Sequence, residues 1–96
     1  MPRKYPTLTP SEVIAIIRAR GFVYDHSRGS HEYYCAEIRG QTHYVTVDKH
    51  YKQFSVERIR DMIDQSGLTR EEFYGSTKRT AKKINLIAPQ YPIPLE

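Results

Sequence analysis

The sequence has little of what marks several large protein classes. Its 96 residues contain one cysteine, and no apolar run approaches the ~18 residues that a membrane helix needs. The single cysteine, Cys35, excludes an intramolecular disulfide and fits a reducing compartment. The basic start of the chain is not followed by the apolar run of a secretory signal. These absences predict a cytoplasmic protein without a membrane anchor.

The motifs of many enzyme classes are also missing. The chain has no P-loop, no G-x-G-x-x-G and no G-x-S-x-G. One cysteine cannot complete a zinc-finger set, and the histidines are not at short metal-ligand spacings: His26, His31, His43 and His50. His31 and His50 with Asp48 are a conceivable metal set, but two neutral imidazoles need more partners. We therefore expect no metal and no cofactor, and interpret Cys35 as a small filler rather than a nucleophile.

Size and charge limit where a site can lie. A chain of 96 residues suits one small domain, so a site must lie on its surface or in a shallow groove. The net charge of +4 favours a polyanionic partner. Residues 5–77 nevertheless hold nine Lys/Arg and ten Asp/Glu. The basic excess lies near the ends, in Arg3, Lys4, Lys78, Arg79, Lys82 and Lys83. We interpret the 78–83 cluster as a solvated helix face.

Capping signals predict two helices that flank the middle of the chain. Thr9 and Glu12 form a capping box around Pro10, followed by an apolar stripe, which predicts a helix over 10–20. Ser55 is an N-cap for a second amphipathic helix that ends at Gly67.

A second capping box starts a third helix. Thr69 and Glu72 predict a helix from residue 70, and we expect it to continue past Gly75 because apolar residues keep a helical spacing. The proline-rich tail APQYPIPLE is expected to be flexible or docked on a partner.

Residues 22–50 have the pattern of three strands. The segments FVYDHS, HEYYCAEI and THYVTV are rich in aromatic and β-branched residues. Gly40-Gln41 fits the centre of a type II′ turn, which places Tyr34 opposite Val47 and gives one mainly apolar face. The same register places His31 opposite His50.

These elements predict an α+β two-layer sandwich in the order αβββα. The three-stranded antiparallel sheet must bury one face, and the helices are its only cover. We place this domain at residues 1–75 and a basic helical extension with the proline-rich tail at 76–96.

His31 is the residue best placed for chemistry. Imidazole titrates near neutral pH, so one histidine can give or take a proton in a displacement step. Arg28, Lys49 and Lys52 can hold an anionic phosphate, and Tyr33 on the same face can stack on an unpaired base. These are the parts of a metal-independent RNA-cleaving site.

The order and spacing of several short motifs resemble the HicA-type toxins. The similarity covers roughly residues 8–74. It is carried by Gly21-Phe22, Gly29-Ser30-His31, Val45, Val47, His50, Lys52, Ile59, Met62, Ile63 and Gly67-Leu68. The resemblance implies a fold like double-stranded-RNA-binding domains and an endoribonuclease that cleaves mRNA. It also implies that His31 of the G-S-H motif is catalytic and that a HicB-type antitoxin neutralises the protein. His50 is a second, less favoured candidate for a catalytic residue, and Ser30 is expected to contact RNA.

Three positions depart from the family pattern. Glu32 stands where relatives often carry a second histidine, Asp48 replaces a common proline, and Val56-Glu57 replaces Pro-Gly. The added negative charge is expected to weaken RNA binding. Two alternatives remain at this point: a noncatalytic RNA-binding module of the same fold, and a protein-interaction domain that uses its tail.

Overall fold

A three-stranded antiparallel sheet with helices on one face forms the molecule. The computed structural model describes residues 4–96, so Arg3 of the terminal basic group lies outside the described part. The elements are α1 Pro10–Ala19, β1 Val23–Arg28, β2 His31–Ile38, β3 Gln41–Asp48, α2 Val56–Ser66, α3 Arg70–Tyr74 and α4 Lys78–Ala81, followed by a 3₁₀ turn Lys82–Ile84. The strand order is β1-β2-β3, and α1 and α2 pack against β3. The predicted α+β architecture is confirmed.

The predicted capping boxes form at both sites. The side chain of Thr9 accepts from the amide of Glu12, and Glu12 Oε1 accepts from the amide of Thr9 at 2.9 Å. Thr69 and Glu72 make the same reciprocal pair at the start of α3. Both helices therefore begin where the sequence predicts, because the caps satisfy amides that have no partner inside the helix.

The core lies between the sheet and the helices. Apolar side chains from α1, α2 and one face of the sheet are buried there, including Val13, Ile16, Ile17, Tyr34, Ile38, Val45, Val47, Ile59, Met62 and Ile63. The predicted division of the β2–β3 hairpin into a buried and an open face is confirmed.

The predicted register of that hairpin is wrong by two residues. Tyr34 pairs with Val45, and the turn is Arg39-Gly40 rather than Gly40-Gln41. Both turn residues have positive φ, 51° and 81°, as in a type I′ turn, whose twist suits a two-residue hairpin. An arginine accepts this conformation here because its guanidinium is anchored to Glu72 and to the carbonyls of Gly67 and Glu96. The faces survive because a two-residue shift preserves the alternation of side chains.

The third helix is shorter than predicted. It ends at Tyr74, and Thr77 caps a separate short helix, α4. Gly75 lies against the tail, since a Cβ placed on it would come within 2.9 Å of the Ile93 side chain. The close approach of the tail thus favours a break in the helix at this glycine.

The tail packs on the chain's own domain, so the expectation of a flexible tail is wrong, while its docking on a partner stays a prediction. Arg20 donates to the carbonyls of Ile93 and Glu72 at 2.6 and 2.8 Å, and to Ser76 Oγ at 2.9 Å. The amide of Glu96 donates to Glu72 Oε2 at 2.7 Å. The boundary at residue 75 stays a prediction, but the two parts are joined by these hydrogen bonds.

A candidate acid–base site at the first hairpin turn

His31 stands at the start of β2, directly after a two-residue turn. In the sheet, His31 lies opposite Arg28, the last residue of β1, on one side. On the other side it lies opposite Asp48, the last residue of β3. The imidazole is 48% exposed. The two hairpins therefore bring a basic, an imidazole and a carboxylate residue side by side at one end of the sheet, where a ligand can reach them.

Asp48 is the side chain that holds His31. Its Oδ2 lies 3.1 Å from His31 Nε2, while its Oδ1 accepts from Ser30 Oγ at 2.7 Å and from the amide of His50 at 3.0 Å. The hydrogen bond from Ser30, followed by that from His50, lowers the pKa of Asp48 because both stabilise the charged form. A carboxylate that is ionised and fixed at neutral pH can orient an imidazole and stabilise its protonated form.

The predicted pairing of His31 with His50 is wrong. The two-residue shift in register puts Asp48 in that position, and the ring of His50 packs edge-on against Tyr51, with 5.7 Å between centroids. His50 reaches the site through its backbone amide, which donates to Asp48. The chain thus supplies His31 with a carboxylate partner rather than with a second imidazole.

The other predicted RNA-binding residues differ in how they are connected to His31 and Asp48. Ser30 is part of it through Asp48, and the amide of Lys49 donates to the Ser30 carbonyl at 2.9 Å. The side chains of Arg28, Lys49 and Lys52 are exposed. Tyr33 is half-buried, and one face of its ring stacks on His26 at 4.4 Å.

Glu32 does not face the imidazole. It is on the helix side of the sheet, where Tyr34 donates its hydroxyl to Oε1 at 2.8 Å. Its Oε2 lies 3.7 Å from Lys49 Nζ. Burial and this hydrogen bond raise the pKa of Tyr34 to about 12. Glu32 therefore partners Tyr34 and Lys49, and the carboxylate next to His31 comes from Asp48.

A cleft opens beside His31, between β3 and α2. It has a volume of about 240 Å³ and is lined by His31, Thr46, Asp48, Phe54, Arg58, Asp61, Met62 and Gln65. Buried Phe54 and Met62 give it apolar surface, and the guanidinium of Arg58 lies 4.2 Å from the centre of the Tyr51 ring. The cleft combines apolar surface with donors and acceptors, which suits a planar polar group such as a nucleobase.

Sequence reasoning missed the α2 side of this cleft. Arg58, Asp61 and Gln65 recur at helical spacing and so share one side of α2 with Met62. The spacing predicts that these side chains lie on one side of α2. It does not predict that this side lies next to His31, because that depends on how α2 packs against β3. Asp48 was considered as a metal ligand and as a charge that weakens RNA binding, but not as the partner of His31.

Within residues 4–96, no group of three or more His, Cys, Asp or Glu side chains could hold a metal ion. None of the helices in the same range has the length and apolar character required to cross a bilayer.

Comparison with known proteins gives one family. The model of the family described as HicA toxin of bacterial toxin-antitoxin matches residues 10–68, which is more than half of the chain. Neither the curated proteins nor the solved structures give a match. The matched range runs from α1 to the end of α2 and includes His31 and Asp48, whereas α3, α4 and the tail lie beyond it.

Proposed function

The chain belongs to the HicA toxin family of bacterial toxin–antitoxin systems, and we propose that it is a metal-independent endoribonuclease that cleaves mRNA with His31 as general acid or base. The observation that carries this proposal is the half-exposed imidazole of His31, held 3.1 Å from an anchored carboxylate at the rim of a cleft. General acid–base chemistry needs such a group, because the imidazole must be fixed and still be open to the substrate.

The proposed reaction uses the nucleophile that RNA itself carries. The 2′-hydroxyl attacks the adjacent phosphorus, the bond to the 5′ oxygen breaks, and the products are a 2′,3′-cyclic phosphate and a 5′-hydroxyl. His31 takes the proton of the 2′-hydroxyl as base or gives one to the 5′ oxygen as acid. Asp48 orients the ring and stabilises the imidazolium during either transfer. The register gives no support to His50 as the second proton-transfer group.

Cations around the site supply the phosphate contacts. Arg28, Lys49 and Lys52 have exposed side chains, and Arg58 lines the cleft from the α2 side. Their charges can stabilise the negative charge that grows on the phosphate oxygens in the transition state. Tyr33 can stack on a base through the ring face that His26 leaves open.

The proposal also names partners and place. mRNA as substrate implies action in the cytoplasm, and membership in the toxin family implies an antitoxin, which we propose is of the HicB type. No cofactor is part of the proposed chemistry.

Incubation of the purified chain with a single-stranded mRNA transcript in EDTA tests the function. We expect cleavage to fragments with 2′,3′-cyclic phosphate and 5′-hydroxyl ends. His31→Ala is expected to slow it by about 10²–10⁴-fold, the usual contribution of one acid–base group. His26→Ala is the matched control, since His26 is an exposed histidine of the neighbouring strand, and it should cleave at nearly the wild-type rate.

Three results would count against the proposal. Cleavage by His31→Ala at the wild-type rate would show that His31 is not the acid–base residue. Cleavage that requires a divalent metal would contradict the metal-independent mechanism. RNA that stays intact, together with binding that weakens steeply as salt rises, would identify a noncatalytic RNA-binding module instead.

A further inference from the structure

The C-terminal segment forms a groove of its own. It has a volume of about 510 Å³ and is lined by Lys78 and Lys82 and by the apolar segment 86–89 with Tyr91. None of these residues lines the cleft beside His31. The groove also lies outside the range that matches the toxin family, so it belongs to the part of the chain that the family pattern does not explain.

The groove exposes one large apolar side chain. Ile87 is 93% exposed, more than any other large apolar residue of the described chain. An isoleucine left in water at this level contributes nothing to the fold, whereas its burial against a partner would be favourable.

Hydrogen bonds preform the apolar wall. Tyr91 accepts from the amide of Ala88 at 3.0 Å and donates to the carbonyl of Leu86 at 3.2 Å. The amide of Leu86 donates to the carbonyl of Ala81 at 3.0 Å, which ties the wall to α4. A surface that is already ordered loses less conformational entropy when a partner binds.

The charge of the segment indicates the kind of partner. Residues 76–96 carry four basic residues and one acidic residue, 4 − 1 = +3. Lys83 and Arg79 lie 3.4 and 3.8 Å from Glu12, but Lys78 and Lys82 are exposed at the groove. Apolar walls with lysines at the edge complement an apolar peptide segment that carries Asp or Glu. RNA would use the lysines and would leave Ile87 uncovered.

We propose that this groove docks an apolar segment of the antitoxin, flanked by acidic residues, apart from the His31 cleft. The proposal rests on the antitoxin partnership put forward above, but not on RNA cleavage. Docking there would let a toxin with this extension select its own antitoxin by contacts that a chain limited to the matched domain cannot make.

Calorimetric titration of the full chain with its purified antitoxin tests the docking. Ile87→Asp is expected to weaken binding roughly tenfold or more, as for a central apolar contact. The double variant Lys78→Glu/Lys82→Glu should also weaken binding and reduce its dependence on salt. Val23→Asp is the matched control, since Val23 is a 64% exposed apolar residue on the sheet. It should bind as the wild type does.

Unchanged binding of Ile87→Asp would overturn the proposal, and so would an equal loss in Ile87→Asp and Val23→Asp. A change in RNA binding by Ile87→Asp, with antitoxin binding intact, would make the groove an RNA surface and would contradict it too. The RNA-cleavage rate of Ile87→Asp should equal that of the wild type. If the wild type cleaves no RNA, the proposed function fails, while the titration still decides the docking site.

Discussion

Two carboxylates at different places in the molecule collect hydrogen bonds in similar ways, with different consequences. Asp48 accepts from the Ser30 hydroxyl and the His50 amide and pairs with His31. Glu72 accepts from the amides of Thr69 and Glu96 and pairs with the Arg39 guanidinium. Each carboxylate is fixed by one amide from its own stretch of the chain and by partners from distant parts.

Burial and the nature of the cation separate the two. Glu72 is 1% exposed and its partner arginine is always charged, so this pair works as a permanent lock on the tail. The partner of Asp48 is a half-exposed imidazole, the kind of side chain that general acid–base chemistry uses. A similar arrangement of hydrogen bonds around a carboxylate therefore serves stability where it is buried and can serve proton transfer where it is open.

Removal of the charge of Glu72 is the largest disturbance of stability that we expect. Glu72→Gln leaves the Arg39 guanidinium without its carboxylate and weakens the anchor of the tail. The free energy of unfolding should fall by about 3 kcal/mol, the low end for breaking a buried pair, because Arg39 is 35% exposed. Thermal unfolding followed by circular dichroism measures this. The RNA-cleavage rate of the folded variant should stay near that of the wild type. A large loss of rate would show that Glu72 serves cleavage as well as stability.

Acid should remove part of the same stabilisation. Burial alone would raise the pKa of Glu72, but hydrogen bonds from Arg39 and from the amides of Glu96 and Thr69 outweigh it and lower the pKa below 4.5. A lowered pKa stabilises the fold above pH 4.5, and this contribution is lost as the pH falls through the folded-state value. Wild-type stability should therefore drop below about pH 4.5 more steeply than that of Glu72→Gln. Denaturation of both proteins at several pH values from 3 to 7 measures this. A difference in their free energies of unfolding that stays constant over this range would contradict the prediction.

The partner of His31 should have a smaller effect. Asp48→Asn keeps the size of the side chain and removes its charge. We expect RNA cleavage to slow by about fivefold, since the imidazole that Asp48 orients is half exposed and water replaces part of the interaction. Asp61→Asn is a matched control, because Asp61 lines the same cleft and makes no hydrogen bond to His31. Equal effects of both changes would show that general charge in the cleft, and not orientation of the imidazole, sets the rate.

Local signals in the sequence were sufficient for most of the fold. The capping boxes at Thr9 and Thr69 fix where two helices begin, since each is decided within four residues. The alternation of apolar residues fixed the buried face of the sheet. The turn was predicted wrongly because Arg39 adopts a positive φ that few arginines would. What holds it there is Glu72, 33 residues away.

The candidate site was predictable in its centre but not in its surroundings. His31 came from the G-S-H motif, whereas its pairing with Asp48 depends on the hairpin register, which the distant Arg39–Glu72 pair helps to set. The docked tail was missed for a similar reason. Arg20 and Ile93 are 73 residues apart, and no local pattern announces such a contact.

The rate at which His31→Gln cleaves RNA decides whether His31 transfers the proton. It is measured in EDTA, in a single turnover, on one defined single-stranded RNA, and next to the wild type. Because His31 is 48% exposed, the free energy of unfolding of the variant should lie within about 0.5 kcal/mol of the wild-type value. We predict that it retains its fold and loses cleavage by about 10²-fold or more. A folded His31→Gln protein that cleaves as fast as the wild type would contradict the claim that His31 transfers the proton.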